Sequence, residues 1–253
     1  MSDEAAVLTE QRGRVLLITL NRPEAMNAIN GALSSGLVAA VEQLDTDPGL
    51  TAGVLTGNGR GFCAGMDLKA FARGEDIGPM MQFIKEGAKK PLIGAIEGFA
   101  IAGGLELALT CDLLVAAQGA KLGIREVKVG LFAAGGGVFR LPNRVGFAKA
   151  MEMALTGDSI SAEEAHELGM VSELTESGHA VEAAIGLAER IAQNAPLALA
   201  ASKQLVRAAS QGYDEEQLWE MQNPLVGSVF SSNDAKEGPR AFAEKRQPEW
   251  TGT

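Results

Sequence analysis

The chain has very few cysteines, histidines and aromatic residues. Its 253 residues include two cysteines, Cys63 and Cys111, two histidines, His166 and His179, and only 5% aromatic residues. Two thiols cannot form the disulfide framework of a small secreted domain, and four such scattered residues do not match the ligand spacing of a zinc site. Neither histidine lies near a nucleophile motif, which disfavours a Ser-His-Asp triad. We therefore expect no metal site.

Positive charge and long hydrophobic runs are also scarce. Lysine and arginine number 22 against 32 acidic residues, a net charge of −10, which argues against a nucleic-acid groove or an anionic membrane surface. The apolar stretch Phe99–Leu105 is interrupted by Glu106, far short of the roughly 20 residues that a membrane span requires. The segment Met1–Ala5 is acidic, unlike a signal peptide. We expect a cytoplasmic protein that binds neither nucleic acid nor membranes.

The rest of the composition is that of an ordinary globular protein, with 46% hydrophobic and 21% charged residues. A chain of this length buries roughly 70–75% of its unfolded surface, so it needs neither disulfides nor a structural metal. The length predicts one large domain, or one domain with a small appendage.

Strand and helix patterns alternate along the first half of the chain. Short apolar runs predict strands at Val15–Leu20, Gly53–Thr56, Leu92–Ile96 and Leu113–Ala116. Helical spacing predicts helices at Ala32–Leu44, Pro79–Gly87 and Gly104–Thr110. Such alternation is typical of an α/β fold.

The chain becomes helical after about residue 161. Ser161 and Glu164 have the spacing of a capping box, which predicts a helix start. Four further helices are predicted at Glu182–Gln193, Pro196–Ala209, Tyr213–Met221 and Asn233–Arg246. The sequence thus indicates a mixed α/β body followed by a helical region.

A glycine-rich segment, Gly57–Asp67, follows the second predicted strand. Its glycines match neither the dinucleotide-binding pattern nor the P-loop pattern, so a phosphate site is not indicated. Two interpretations stay open for this segment. It is either a turn in which glycine relieves backbone strain, or a loop whose N–H groups around Ala64–Met66 face a ligand oxygen.

The segment from Gly98 to Asp112 is more informative. Small residues at 102–104 precede an apolar helix, so free N–H groups lie at a backbone that a ligand can approach closely. Glu106 has an apolar context, which predicts a raised pKa for its carboxyl group. The alternative is that Glu106 only complements the helix N-terminus or reaches solvent, because most glutamates are structural.

Glu126 is the second candidate carboxylate. Its neighbours Arg125 and Lys128 favour the simpler interpretation of a surface ion-pair residue. The small, apolar run Leu131–Val138 beyond it is suited to lining a pocket. Two carboxylates and two N–H loops are the parts needed to stabilise an oxyanion while moving a proton, although spacing alone does not show that they converge.

In their order and spacing, these segments resemble the crotonase (enoyl-CoA hydratase/isomerase) superfamily. The segments that carry the resemblance are Asn21–Ala28, Gly61–Leu68, Gly98–Glu106, Glu126 with its glycine-rich continuation, Leu155–Ala165 and Glu237–Arg246. The stretch Glu237–Trp250 is similar to carnitinyl-CoA dehydratases. Ala102 stands where many hydratases have glycine.

The resemblance implies an α/β fold with a crotonase-like spiral of ββα turns over residues 1–195. A C-terminal helical trimerisation region would follow over residues 196–253, and the chain would assemble as a homo-trimer or hexamer. The implied substrate is a coenzyme A thioester of fatty-acid metabolism, with no separate cofactor.

The resemblance also implies the site residues. The backbone N–H groups of Met66 and Gly103 would form the oxyanion hole, and Glu106 and Glu126 would be the catalytic acid and base. Ala134 would form the wall of the water site. Residues that would contact the coenzyme or substrate are Ala25, Ala64, Gly65, Asp67, Leu68, Phe242 and Lys245, the last two on one face of the last predicted helix.

Because hydratases of this family have both acids, whereas similar isomerases commonly keep only the second, the expected function is that of an enoyl-CoA hydratase. The roles of the two acids predict that their surroundings push their pKa values apart. A carnitinyl-CoA dehydratase-type enzyme, an enoyl-CoA isomerase and a non-catalytic acyl-CoA-binding protein stay open as alternatives.

Overall fold

The computed structural model describes residues 5–253. Most of the acidic N-terminal segment, on which the expectation of no signal peptide rests, falls in residues 1–4, outside the described residues. The strands are β1 (Val7–Arg12), β2 (Val15–Leu20), β3 (Ala52–Gly57), β4 (Leu92–Ile96), β5 (Phe99–Ile101), β6 (Leu113–Ala117), β7 (Lys121–Gly123), β8 (Ile160–Ser161) and β9 (Glu173–Thr175).

Helices make up most of the remaining described chain. They are α1 (Gly31–Thr46), α2 (Leu68–Ala72), α3 (Gly78–Glu86), α4 (Gly103–Ala108), α5 (Gly137–Arg140), α6 (Pro142–Val145), α7 (Phe147–Thr156), α8 (Ala162–Glu167), α9 (Ala180–Ala192), α10 (Pro196–Ser210), α11 (Glu215–Phe230) and α12 (Asn233–Glu244). Short 3-10 helices lie at Pro23–Ala25 and Glu126–Val129. In the described part of the chain, none of these helices has the length and apolarity needed to cross a lipid bilayer.

The main sheet has the strand order β1-β2-β3-β4-β6-β9, with β1 antiparallel to β2 and the other neighbours parallel. Alternate residues of its inner strands are buried on opposite faces. Leu16 and Leu55 belong to the core that includes α1, whereas Val15 and Val54 pack with α9. Burial on both faces explains why these strands are continuous hydrophobic runs.

A second, three-stranded sheet with the order β5-β7-β8 positions the loops that contain the candidate site residues. Ile101 pairs with Gly123, so the start of α4 lies beside the chain that leads to Glu126. Isolated bridges join Cys63 to Ala100 and Ile29 to Met66. The sheet therefore brings together three segments that are far apart in sequence.

The four predicted strands are confirmed as β2, β3, β4 and β6, with ends within one residue. The edge strands β1 and β9 were not predicted, because they contain several polar or charged residues. These strands form only by pairing with the buried strands. The strands of the second sheet are two or three residues long, too short for a recognisable period.

The seven predicted helices correspond to helices of the structure, and every end except the C-terminal end of α11 lies within two residues of the prediction. Helix α11 continues past Met221 and through Pro224 to Phe230, so the proline does not end it. Helix α12 ends at Glu244, because Lys245 adopts a left-handed backbone with φ 54°. The prediction that Phe242 and Lys245 share one helical face is therefore wrong.

The C-terminal helices fold back on the rest of the chain. The indole N–H of Trp250 donates to the Gln193 carbonyl at 2.7 Å, and the Asp234 carboxylate accepts the backbone N–H groups of Thr251 and Gly252. Helix α10 begins at Pro196, next to the predicted boundary at 195/196. The division into two domains itself stays a prediction.

Candidate active site

A fully buried amide, Asn27, fixes the loop that contains the first predicted oxyanion donor. Its Oδ1 accepts the backbone N–H of Arg22 at 2.9 Å, and its Nδ2 donates to the carbonyls of Asn58 and Gly61 at 2.9 and 3.0 Å. Buried polar groups in native structures are paired in this way. Asn27 therefore ties the segment before α1 to the loop after β3.

The thiol of Cys63 orders the next turn of the same loop. It donates to the Asn27 carbonyl at 3.1 Å and accepts the N–H of Gly65 at 3.4 Å. Burial raises the pKa of Cys63 to about 12, so the sulfur stays protonated and is not a nucleophile. Ile29 holds the residues on both sides of Met66, by a bond to the Gly65 carbonyl at 2.8 Å and one from the Asp67 N–H at 2.9 Å.

Gly103, the second predicted oxyanion donor, is the first residue of α4. Such an N–H has no partner inside its helix. A β-carbon built on Gly103 would lie 3.6 Å from the Met66 nitrogen, and one on Gly104 only 2.2 Å from the Cys63 carbonyl oxygen. Neither predicted N–H donates a hydrogen bond to another group of residues 5–253. The structure thus brings the two predicted donors together.

Glu106, on α4, is only 6% exposed, and its Oε1 accepts the N–H of Gly137 at 2.9 Å. Burial is the largest factor that raises its pKa, and the charge of Glu126 raises it further. The N–H groups of Gly137 and Gly135 and the charge of Arg140 lower it in part. The predicted raised pKa is confirmed, and the alternative that Glu106 reaches solvent is wrong.

Glycine is required where the chain meets this carboxylate. A β-carbon on Gly135 would lie 2.7 Å from Oε2 of Glu106, and one on Gly137 would lie 3.1 Å from Oε1. A side chain at either position would therefore force the carboxylate or the backbone beside it to shift.

Glu126 follows β7 and opens a 3-10 helix. Its Oε2 is buried and has no hydrogen-bond partner among the described residues, and burial raises the pKa of its carboxyl group. Lys128 pairs instead with Asp158, at 2.6 Å. The interpretation of Glu126 as a surface ion-pair residue is wrong, and one of its carboxylate oxygens is buried without a hydrogen-bond partner among residues 5–253.

The two acids are close enough for the charge of Glu126 to contribute to the raised pKa of Glu106. Burial is the largest cause of both shifts, and it raises the pKa of both carboxyl groups. That the two pKa values are pushed apart stays a prediction. The difference lies in their partners. Peptide N–H groups hold the Glu106 carboxylate in place, whereas an oxygen of Glu126 is bare.

The other residues of this part of the chain that are predicted to contact the coenzyme lie beside Met66. The Asp67 carboxylate caps α2 by accepting the N–H groups of Lys69 and Ala70 at 3.1 Å, and it pairs with Arg22 at 3.1 Å. These partners lower the pKa of Asp67.

The Ala64 N–H donates to the Met26 carbonyl at 3.1 Å, next to the partly exposed Ala25. Leu68 is exposed. That these residues contact a coenzyme stays a prediction.

Ala134, the predicted wall of the water site, is exposed and lines a cavity of about 1270 Å³ together with Gly135 and Gly136. The cavity extends between α3, α5 and α10, and its lining includes neither Glu106 nor Glu126. Gly135, which lines the cavity, also approaches the Glu106 carboxylate. The role of Ala134 stays a prediction.

Phe242 and Lys245 are exposed, with Phe242 at 87%. Among residues 5–253, the hydrogen bonds of the C-terminal segment run within α12, to the end of the chain and, through Trp250, to Gln193, and none of them reaches the loops around Glu106 and Glu126. A single chain therefore does not bring these two residues to the carboxylates, and their contact with the coenzyme stays a prediction.

Among residues 5–253, no three Cys, His, Asp or Glu side chains cluster closely enough to hold a metal ion. Sequence reasoning missed the positioning contacts of Asn27, Cys63, Gly135 and Gly137. The sequence holds only a weak signal for these contacts. Asn27 is a polar residue inside a segment that resembles the family, and Gly135 and Gly137 follow the second predicted acid, Glu126.

Known proteins resemble this chain over nearly its whole length. The family model for enoyl-CoA hydratase/isomerase matches residues 10–253. A solved enoyl-CoA hydratase from Mycobacterium tuberculosis H37Rv superposes with a TM-score of 0.95 at 55% identity, covering 99% of this chain and 100% of that one.

Two curated relatives are each 40% identical to this chain. Enoyl-CoA hydratase EchA19 of Mycobacterium tuberculosis aligns over 95% of this chain and 94% of its own length. A carnitinyl-CoA dehydratase of Salmonella heidelberg aligns over 96% and 97%. The chain belongs to the enoyl-CoA hydratase/isomerase family and has the crotonase fold.

Proposed function

We propose that the protein is an enoyl-CoA hydratase, which reversibly adds water to a trans-2-enoyl-CoA to give a 3-hydroxyacyl-CoA. The observation that carries the proposal is the pair of interacting carboxylates, Glu106 and Glu126, in a chain whose relatives are named as hydratases. Proton transfer to and from carbon and water needs such a pair. Reactions of this kind are part of fatty-acid oxidation.

The substrate thioester oxygen would accept hydrogen bonds from the N–H groups of Met66 and Gly103. When water attacks the β-carbon, the electron pair of the double bond moves toward this oxygen as an enolate. Donors fixed in advance stabilise that charge, and the loss of one typically costs about 10²–10³ in rate. The thioester itself is the electron sink, so the proposal needs no metal, nicotinamide or flavin.

The local contacts support distinct roles for the two acids. Hydrogen bonds to a carboxylate favour its charged form, so the Gly137 N–H favours an ionised Glu106 that accepts a proton from water. Glu126 has one buried oxygen without a donor, and burial raises the pKa of this carboxyl group while the N–H groups of Glu126 and Arg125 lower it in part. We assign to Glu126 the delivery of a proton to the α-carbon. In the reverse direction each group takes the opposite role.

We infer that the coenzyme lies along Ala25, Ala64, Gly65, Asp67 and Leu68, with Ala134 at the water site. These loops adjoin the Met66 N–H. Because the Asp67 carboxylate is already paired with Arg22, its backbone rather than its charge would face the coenzyme.

We infer a homo-trimer or hexamer, in which Phe242 and Lys245 reach the coenzyme of a neighbouring subunit. The support is the set of large apolar side chains exposed on the C-terminal helices, Val206 at 69%, Phe230 at 76% and Phe242 at 87%. Light scattering should give three or six times the mass of one chain; a monomer would contradict the inference. A cytoplasmic location is supported by the two free, buried thiols.

The function is tested with purified protein and a panel of thioesters. Crotonyl-CoA, a 3-enoyl-CoA and a trimethylammonium-bearing enoyl-CoA are assayed side by side. We expect hydration of at least one 2-enoyl thioester to exceed isomerisation of the 3-enoyl thioester. Isomerisation alone would contradict the hydratase proposal, and binding of every thioester without turnover would favour a non-catalytic protein.

A further inference from the structure

Ala102, the residue before the second oxyanion donor, has an unusual backbone conformation. Its φ is 54° and its ψ is −129°, whereas Met26 and Lys245, which also have positive φ, lie in the ordinary left-handed helical region with ψ of 34° and 40°. The conformation of Ala102 is the mirror image of extended chain, a region that strongly favours glycine. Alanine has no polar side chain to compensate for this strain.

Hydrogen bonds on both sides of Ala102 hold it in this conformation. Its N–H donates to the Gly123 carbonyl at 2.8 Å. Its carbonyl accepts the N–H groups of Leu105 and Glu106 at 2.8 and 3.1 Å, which starts α4. The strain therefore cannot relax without breaking the end of β5 or the first turn of the helix, and such strain is commonly found at functional sites.

The methyl group of Ala102 points at the other oxyanion turn. A β-carbon added to Gly65 would lie 2.9 Å from the Ala102 β-carbon and 3.2 Å from the Gly103 nitrogen. Gly65 itself has a positive φ of 97° and immediately precedes Met66. The Ala102 methyl thus makes a side-chain contact between the two turns that carry the proposed donors.

We propose that Ala102 is a positioning residue whose methyl group, held against Gly65, sets the separation of the Met66 and Gly103 N–H groups. This inference rests on the proposed function, in which both groups bind the thioester oxygen. Glycine would relieve the strain at position 102 but would remove the contact between the turns. Activity and stability should therefore change in opposite directions.

The test compares Ala102→Gly with wild type in the full chain. We expect kcat for crotonyl-CoA to fall about tenfold, part of the 10²–10³ that a lost donor costs, with KM nearly unchanged. The melting temperature should not fall below that of wild type. Ala102→Ser, which keeps the β-carbon, should recover most of the lost rate.

Ala95→Gly is the matched control, because it removes a buried methyl from β4 on the face that packs against α9. It should lower the melting temperature by a few degrees without the loss of kcat. If Ala102→Gly only lowers the melting temperature and leaves kcat within twofold of wild type, Ala102 is structural and the inference is wrong.

A second readout separates this inference from the proposed function. Acetoacetyl-CoA has an acidic α-carbon, and the ultraviolet absorbance of its enolate reports how well the two N–H groups hold an oxyanion. For Ala102→Gly, the same enolate absorbance should require an about tenfold higher concentration of acetoacetyl-CoA than for wild type. At a fixed concentration of acetoacetyl-CoA, the enolate absorbance should be correspondingly lower. An unchanged enolate signal would overturn the inference even in an active hydratase. Wild type that forms the enolate but hydrates no thioester would overturn the function alone.

Discussion

Replacement of Glu106 by glutamine removes the proposed base while keeping the shape of the side chain. The amide oxygen can still accept the Gly137 N–H, which now binds Oε1 at 2.9 Å. General acid–base catalysis contributes about 10²–10⁴ in rate, so kcat should fall at least 10²-fold, or about 2.7 kcal/mol at 1.36 kcal/mol per decade. The acyl-CoA affinity should be nearly unchanged, because the backbone N–H donors remain.

The same substitution should not destabilise the protein at neutral pH. Burial raises the pKa of Glu106 in the folded state, so folding is disfavoured as pH rises from the unfolded pKa through the folded one. Glutamine removes that penalty, and the midpoint of urea unfolding should stay equal or increase. Stopped-flow hydration of crotonyl-CoA measures the rate. Near-wild-type hydration by Glu106→Gln would refute the water-activating role and favour the isomerase interpretation.

Three further predictions concern the other parts of the site. Glu126→Gln should lower kcat at least about 10²-fold and should also abolish any isomerisation, because the α-carbon proton is common to both reactions; isomerisation at the wild-type rate would contradict its role. Gly135→Ala, whose new β-carbon would lie 2.7 Å from Oε2 of Glu106, should lower kcat by at least about tenfold, whereas Gly186→Ala, where no atom lies within 4 Å, should leave kcat unchanged. In a pH series, kcat should fall on the acid side at a pH above the usual glutamate range, because the pKa of Glu106 is raised and its charged form is the base; constant kcat down to that range would contradict the assignment.

The parts of the fold that depend on local pattern were predictable from the sequence. β2, β3, β4 and β6 are apolar runs buried on both faces, so their composition identifies them. β1 contains several polar residues and exists because it pairs with β2, information that its own residues do not contain. Likewise, α11 passes through Pro224, and no local rule of helix termination predicts that.

The candidate site was predictable in its parts but not in its contacts. The resemblance predicts the donors at Met66 and Gly103 and the acids at Glu106 and Glu126, and the structure brings the two predicted donors together, but the four roles stay predictions. The charged neighbours of Glu126 gave the wrong prediction of a surface ion pair, because Lys128 pairs with Asp158, thirty residues further along the chain. The bonds of Asn27 to Gly61 and of Gly137 to Glu106 are also long-range, so only the folded chain shows them.

The account depends most on the convergence of Met66, Gly103, Glu106 and Glu126 on one thioester. A crystal structure of the protein with a bound 3-hydroxyacyl-CoA tests this directly. We predict the thioester oxygen about 2.7–3.1 Å from both the Met66 and Gly103 nitrogens, and the β-hydroxyl group in hydrogen-bond reach of Glu106. A thioester oxygen bound away from either nitrogen, or a β-carbon out of reach of both carboxylates, would contradict the account.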